Sequence, residues 1–108
     1  MTYKQTHPID DQGDGTAGTS GAAELDTELR TTIEVFYNVS ASTDDIIIEG
    51  STDASTWREL PSTIASGSVT TGGDTKQFTT AYQHVRVYAG SSFSDGDVTT
   101  IELVAKGD

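Results

Sequence analysis

The chain of 108 residues has 17 acidic side chains, 6 basic side chains, a formal net charge of −11 and no cysteine. Its length predicts one domain with a core of modest size, and the lack of cysteine excludes disulfides and thiolate metal sites. The scattered Lys and Arg residues argue against nucleic-acid binding, and no stretch approaches the roughly 20 apolar residues of a membrane span.

Acidic residues occur along the whole chain, with no acidic tail. Their mutual repulsion destabilises a folded chain in dilute buffer, but molar salt shortens the Debye length to about 3 Å and screens it. The composition, with three lysines and abundant aspartate and threonine, resembles that of proteins from extreme halophiles. We therefore expect a salt-adapted protein rather than an ordinary acidic mesophilic domain.

The first residues predict an arm rather than part of a core. Residues 1–9 alternate weakly and indicate a short extended segment, and Pro8 restricts its end to the edge of a sheet. Residues 10–23 contain four glycines and little to bury, so they are predicted to form a loop or a flexible arm, with a disordered terminus as the alternative. The predicted division is an extended N-terminal arm, residues 1–23, and a β-domain, residues 24–108.

From residue 24 onward the sequence alternates with the period of two that is typical of strands. Leu25, Thr27 and Leu29 share one predicted face. The β-branched and aromatic residues 31–39 then favour a strand over a helix. In that strand the residues predicted to face the core are Ile33, Val35, Tyr37 and Val39.

Residues 44–60 predict a strand, a turn and a second strand, which we take as the centre of the fold. Ile47 lies opposite Ile46 and Ile48, and apolar residues on both faces indicate an inner strand. A domain of this size needs its large side chains inside. The only tryptophan, Trp57, is therefore predicted to fill the core.

The remainder of the chain adds further strands. Residues 62–74 are rich in Ser, Thr and Gly and predict a weak edge strand or a loop anchored by Ile64 and Val69. Residues 82–89 alternate cleanly, and residues 98–105 close the chain. Seven or eight short strands without a convincing helix predict an all-β fold, a jelly-roll-like antiparallel β-sandwich. Its predicted core includes Ile46, Ile48, Trp57, Val85 and Val87.

A calcium loop is the one metal site that the spacing suggests. Asp10 and Asp14 fall at the first and fifth ligand positions of an EF-hand loop, and Gly15 at its glycine. The twelfth position, which requires a bidentate glutamate, is Gly21. We therefore expect a plain acidic loop, with no metal and no cofactor.

Catalytic motifs are missing as well. His7 and His84 are the only histidines, and neither lies near a G-x-S-x-G motif. A hydrolase would need His84 in a pocket beside a serine and an aspartate. The sequence therefore predicts a protein that is not an enzyme.

Tyr82 and Tyr88 are the candidate ligand-facing residues. Sandwiches of the lectin type hold sugars with exposed aromatic rings and loop acids. Packing between neighbouring strands is the alternative explanation for these rings.

Two stretches resemble known proteins. Residues 46–60, I-I-I-E-G-S-T-D-A-S-T-W-R-E-L, resemble the E-x-S-x-D-G-x-x-W-x-x-L hairpin of discoidin-like and galactose-binding-like sandwiches and of many small structural proteins of tailed phages. Residues 82–89, Y-Q-H-V-R-V-Y-A, resemble the Y-R-Y-V-R-V strand that follows it. Ala54 replaces the usual glycine, which implies a different backbone shape for this turn. The match rests on Glu49, Ser51, Asp53, Trp57, Leu60, Tyr82, Val85, Arg86 and Val87.

Together with the salt-adapted composition, the resemblance implies a structural protein of a tailed virus that infects halophilic archaea, with a place on the virion surface as a capsid decoration protein. The expected partners are the major capsid protein or other virion subunits, with further copies of the chain in a homo-oligomer. The predicted docking residues lie in the arm: Tyr3, Lys4, His7 and Ile9.

The alternative is a carbohydrate-binding or adhesion module of a virion or cell-surface protein. Exposed tyrosines and a groove favour that alternative. A buried Trp57 and an arm that crosses a partner favour the capsid protein.

Overall fold

The computed structural model describes residues 9–13 and 15–107, and this part of the chain is all-β. Eight strands form two four-stranded antiparallel sheets. The prediction of an all-β, sandwich-like protein is confirmed. The strands are β1 (Ile9–Gln12), β2 (Ala23–Asp26), β3 (Thr32–Val39), β4 (Ile46–Ser51), β5 (Arg58–Glu59), β6 (Asp74–Thr79), β7 (His84–Ala89) and β8 (Val98–Lys106).

Three short 3-10 helices lie in the connections between strands: Thr19–Gly21, Ser66–Ser68 and Asp95–Asp97. None of the helices in the described part of the chain has the length and apolar character needed to span a membrane.

The chain passes from one sheet to the other at almost every connection. The first sheet has the order β1-β8-β3-β6 and the second the order β2-β7-β4-β5. Only β4 and β5 are both consecutive in sequence and adjacent in a sheet, pairing Glu49 with Glu59 and Gly50 with Arg58. The predicted hairpin of residues 44–60 is therefore confirmed, and the other pairings join distant parts of the sequence.

The core lies between the sheets and follows from the period-two patterns. Ile46, Ile48, Val85 and Val87 are fully buried, as predicted. Each such aliphatic side chain contributes about 1.5–3 kcal/mol by leaving water. The inward row of β3 is also buried as predicted: Ile33, Val35, Tyr37 and Val39.

The connection between β5 and β6 is fastened to this core at three points. Ile64 and Val69 are the buried anchors expected from the sequence. The Tyr37 hydroxyl accepts a hydrogen bond of 2.9 Å from the backbone N–H of Thr70. The only large polar side chain of the β3 row therefore has a partner inside the protein.

Trp57 departs from the prediction, because it is only partly buried and lies outside the core cluster. It precedes β5, an edge strand of two exposed residues. The guanidinium carbon of Arg86 lies 4.3 Å from the centre of its ring. The ring therefore packs on the outer face of the second sheet. Neither residue of β5 points into the core, so this strand does not carry the preceding tryptophan inward.

The described part of the predicted arm belongs to the two-sheet body. β1 pairs with β8 from Ile9, opposite Ala105, to Gln12. The N–H of Gly13 donates to the carbonyl of Ile101, and the N–H of Gly18 to that of Ala89, both at 2.7 Å.

Glycine lets this segment approach the rest of the backbone closely. Gly21 is buried, and a Cβ at this position would collide with the carbonyl oxygen of Thr16. Ala17 packs against the core. Composition alone predicted a free arm because it does not record such backbone contacts. Residues 1–8 lie outside the described residues.

The two ends of the molecule differ. One end, here called the turn end, contains residues 27–31, 52–57 and 80–83, which connect strands whose termini align in register. The other end, the aspartate end, contains residues 40–45, 62–73 and 90–97. Because Ile9 aligns with Ala105 near the end of β8, the chain enters β1 at the turn end.

Candidate functional site

The predicted site residues do not form one cluster. Tyr82 lines a cavity at the turn end, whereas Tyr88 lies on the outer face of the second sheet beside Arg86. Ile9 is partly buried against the core, and Asp10 is exposed on β1. The other predicted docking and metal residues lie outside the described residues: Tyr3, Lys4, His7 and Asp14.

The cavity at the turn end has a volume of about 540 Å³ and is open to solvent. It lies between residues 26–31, which connect β2 to β3, and residues 80–83, which connect β6 to β7. Its size falls within the range of about 300–1,000 Å³ that is common for ligand pockets. Its walls combine the Tyr82 ring and apolar side chains with carboxylates, hydroxyls and an amide.

Hydrogen bonds hold the two walls together. The buried Thr27 donates its N–H to the carbonyl of Gln83 at 2.6 Å and its hydroxyl to the carbonyl of Tyr82 at 3.2 Å. Tyr82 also packs against the core, and its ring lies where a side chain on Gly50 would be. The two walls are therefore joined directly to each other, and Tyr82 joins them to the core.

The turn within the first wall has an unusual backbone. The N–H of Arg30 donates to the carbonyl of Thr27 at 2.9 Å, and the two residues between them have positive φ, 51° at Glu28 and 71° at Leu29. Two positive φ angles define a type I′ turn, which strongly favours Asn-Gly. For residues with a Cβ this region costs roughly 1–2 kcal/mol each.

Leu29 occupies the tip of this turn with 95% of its surface exposed, and no other large hydrophobic residue in the described ranges is exposed. Its neighbour Arg30 is only 3% exposed, and its Nη1 lies 3.4 Å from Oε1 of Glu28. An apolar side chain is thus held in water on a turn that its sequence does not favour.

The carboxylate of Asp26 marks the rim of the cavity. Hydrogen bonds from the backbone N–H of Glu28, at 2.9 Å, and from Nε2 of Gln83, at 3.2 Å, lower its pKa, and His84 lowers it further. Asp26 is therefore ionised at neutral pH.

The sheet register also places a serine and an aspartate beside His84. Ser51 of β4 lies opposite His84 on one side, and Asp26 of β2 on the other. The Ser51 hydroxyl donates to Oδ1 of Asp53 at 3.0 Å and accepts the N–H groups of Asp53 and Ala54. Within the described residues no hydrogen bond joins His84 to either neighbour. A nucleophile and its base need such contact, so this row has the residue types of a triad without its geometry.

A second polar cluster occupies the outer face of the second sheet. Nε of Arg86 donates to Oε1 of Glu49 at 2.7 Å, and these side chains are only 19% and 14% exposed. The guanidinium carbon of Arg86 lies 4.3 Å from the centre of the Trp57 ring and 5.5 Å from the centre of the Tyr88 ring. Burial, and then the charge of Glu49, raise the pKa of Tyr88. Arg86 and Glu49 neutralise each other's charge. The face of the Trp57 ring that Arg86 covers is closed to a stacking ligand.

The turn before Trp57 keeps a shape that favours glycine. Ala54 has a φ of 61°, so alanine adopts the left-handed region at the position where the resembling motif has glycine. The φ angle of Ala54 therefore matches what glycine would adopt, and it shows no change of backbone shape.

A metal site is not apparent in the described ranges, where no group of three or more His, Asp or Glu side chains could hold an ion. Comparisons with protein-family models, with curated proteins and with solved structures find no significant match to the chain.

Proposed function

We propose that this chain is a non-enzymatic structural protein of a virus particle, a decoration protein that docks on the major capsid protein or on other virion subunits as a homo-oligomer. The strand order carries this proposal. Sheets ordered β1-β8-β3-β6 and β2-β7-β4-β5 support an eight-stranded jelly roll, in which two Greek keys interlock. Viral capsid and lectin domains both use this architecture.

The charge distribution supports a place on a particle surface in concentrated salt. Seventeen acidic residues against six basic ones are compatible with a stable fold where salt screens their repulsion, and a strongly charged surface favours solubility. A tailed virus of halophilic archaea would meet these conditions, as the composition suggests.

Open sheet edges offer a way to assemble. β1 and β6 end the first sheet, and β2 and β5 end the second. An edge strand accepts a further strand through its unpaired backbone groups. Residues 1–8, which precede β1 in the sequence, are the proposed docking segment, and several linked copies would raise the effective concentration of each contact.

Gradient-purified particles of the virus that encodes the chain provide the test. Quantitative mass spectrometry should find the wild-type chain at a fixed ratio to the major shell protein. Deletion of residues 2–8 should lower that ratio without changing the thermal midpoint. A deletion through residue 23 is unsuitable because it would remove β1. Absence of the chain from particles would refute the proposal, and full retention of the shortened chain would refute the docking segment.

A second candidate is a carbohydrate-binding or adhesion module. The cavity beside Tyr82 favours it, as does the partial exposure of Trp57, which a core residue would not show. Chemical-shift perturbation of residues 80–83 on titration with mono- and oligosaccharides tests it. Unchanged signals at millimolar sugar would exclude it.

A further inference from the structure

We propose that the cavity at the turn end binds an uncharged saccharide, which packs on Tyr82 and Leu29 and is held by hydrogen bonds to Asp26 and Gln83. This inference deepens the second candidate function above and rests on it. The observation that carries it is a cavity of about 540 Å³ whose walls combine apolar surface with hydrogen-bonding groups. A sugar has the same mixed character, because its C–H groups are apolar and its hydroxyls both donate and accept hydrogen bonds.

Two side chains on opposite walls supply the apolar part of the cavity. Tyr82 lines it from the connection between β6 and β7, and its ring packs against the core and over Gly50, which has no side chain. Leu29 lines it from the connection between β2 and β3, with 95% of its surface exposed. Apolar walls of this kind bury the C–H groups of a ligand, and a bound sugar would remove part of Leu29 from water.

Asp26 and Gln83 supply the polar part at the rim, and both are exposed. The backbone N–H of Glu28 donates to Oδ1 of Asp26 at 2.9 Å, and Nε2 of Gln83 donates to Oδ2 at 3.2 Å. A carboxylate oxygen accepts more than one hydrogen bond, so both oxygens retain capacity for a ligand hydroxyl. Because these bonds place the carboxylate and the amide before any ligand arrives, binding costs little conformational freedom.

The charges around the cavity favour an uncharged ligand. Its ionisable lining residues are Asp26, Glu28 and Arg30. Arg30 is only 3% exposed, and its Nη1 lies 3.4 Å from Oε1 of Glu28, so these two charges compensate each other. The charge of Asp26 remains, Asp53 adds a carboxylate at the same end, and the chain as a whole has a net charge of −11. This field repels acidic sugars and phosphorylated ligands.

Ala81→Trp tests the place of the site. Ala81 is exposed and lines the cavity, so a larger ring there should fill the cavity without displacing a core residue. Calorimetric titrations of the full chain in molar NaCl use galactose, glucose, N-acetylglucosamine, lactose and chitobiose as neutral probes. Glucuronic acid and N-acetylneuraminic acid are the acidic probes. We expect saturable binding of at least one neutral probe and of neither acidic one, and loss of that binding in Ala81→Trp.

Ala65→Trp is the matched control for this variant. Ala65 is equally exposed but lies in the connection between β5 and β6, outside the cavity lining. It should bind the neutral probe as wild type does, and both tryptophan variants should keep the wild-type thermal midpoint.

Asp26→Asn tests the chemistry of the site. It preserves the size of the side chain and replaces the charged acceptor by a neutral amide. Loss of a hydrogen bond to a charged group corresponds to roughly a tenfold to hundredfold fall in affinity. Asp10→Asn is its control, because Asp10 is also an exposed aspartate and does not line the cavity. Its affinity should equal that of wild type.

The results separate the site from the function. If no probe binds the wild-type chain at millimolar concentration, the second candidate function and this site are both refuted. If a neutral probe binds wild type and Ala81→Trp equally, the chain binds carbohydrate at another surface, and only the site is refuted. Binding of acidic probes alone would overturn the uncharged ligand, and full affinity in Asp26→Asn would overturn the hydrogen bond to its carboxylate.

Discussion

Replacing Ala54 by glycine should stabilise the protein. The turn after β4 is well hydrogen-bonded, and the Cβ of Ala54 is its one source of backbone strain. Oδ1 of Asp53 accepts the N–H groups of Ser55 and Thr56, both at 2.9 Å. The Ser51 hydroxyl accepts the N–H of Ala54 at 2.9 Å. Ala54 is exposed and has a φ of 61°, so its side chain contributes strain without burial.

The magnitude follows from two opposing terms. Leaving the left-handed region relieves roughly 1–2 kcal/mol, and the greater freedom of glycine in the unfolded chain takes back roughly 0.5–1 kcal/mol. The middle values of the two ranges leave a net gain of about 0.5–1 kcal/mol. For a domain of this size it should raise the thermal midpoint by about 2–4 °C.

Denaturant titration and thermal unfolding in the same salt measure this change. Ala65→Gly is the matched control, because Ala65 is also exposed but has a φ of −66°. It should lose about 0.5–1 kcal/mol. If Ala54→Gly loses stability as the control does, the left-handed alanine is not a source of strain.

Three further predictions concern charge. Arg86→Met leaves Glu49, which is only 14% exposed, without its cation. It should lower the free energy of unfolding by about 2 kcal/mol, a value between those for exposed and buried ion pairs. Arg58→Met, on the exposed edge strand, should leave the free energy of unfolding unchanged. The N–H of Ser92, and then that of Asp45, lower the pKa of Asp44 below its unfolded value, so its stabilisation is present at neutral pH and is lost as the pH falls below about 4. Asp44→Asn should therefore narrow the difference in unfolding free energy between pH 5 and pH 3. Because the net charge is −11, the thermal midpoint should rise from millimolar to molar NaCl.

Each of these has a clear contrary result. Equal losses in Arg86→Met and Arg58→Met would show that the pair with Glu49 adds nothing. If the unfolding free energies of wild type and Asp44→Asn change in parallel with pH, the hydrogen bonds to the Asp44 carboxylate do not cause the loss of stability in acid. A thermal midpoint that ignores salt would contradict the role of self-repulsion.

Local alternation predicted the strands that form the core. In β3 and β7 every second residue is buried, because the pleat turns successive side chains to opposite faces. The hairpin of β4 and β5 was predictable for a similar reason, since its pairing joins neighbours in the sequence. The other pairings connect residues far apart, and period alone does not select partners among strands that all alternate.

The errors arose where a side chain was judged by type alone. Trp57 was assigned to the core for its size, but its ring lies on Arg86 because the edge strand that follows it has no buried position. Leu29 was assigned to an apolar strand face, but β2 ends at Asp26 and the turn carries Leu29 into solvent. The sequence pattern identified both residues as strand residues. Their exposure depends instead on where the strands lie, because β2 ends at Asp26 and β5 begins at Arg58.

Three described residues other than glycine have a positive φ, Glu28, Leu29 and Ala54, and the last two differ in their surroundings. Ala54 breaks one local rule, and a small side chain on a turn fixed by Asp53 needs no further cause. Leu29 breaks the backbone rule and the burial rule at one position, beside a cavity and at the end where β1 begins. Sequences that specify a fold agree across these levels, and joint departures concentrate at functional surfaces. Glycine relieves the positive φ at either position, so Leu29→Gly, like Ala54→Gly, should raise the thermal midpoint.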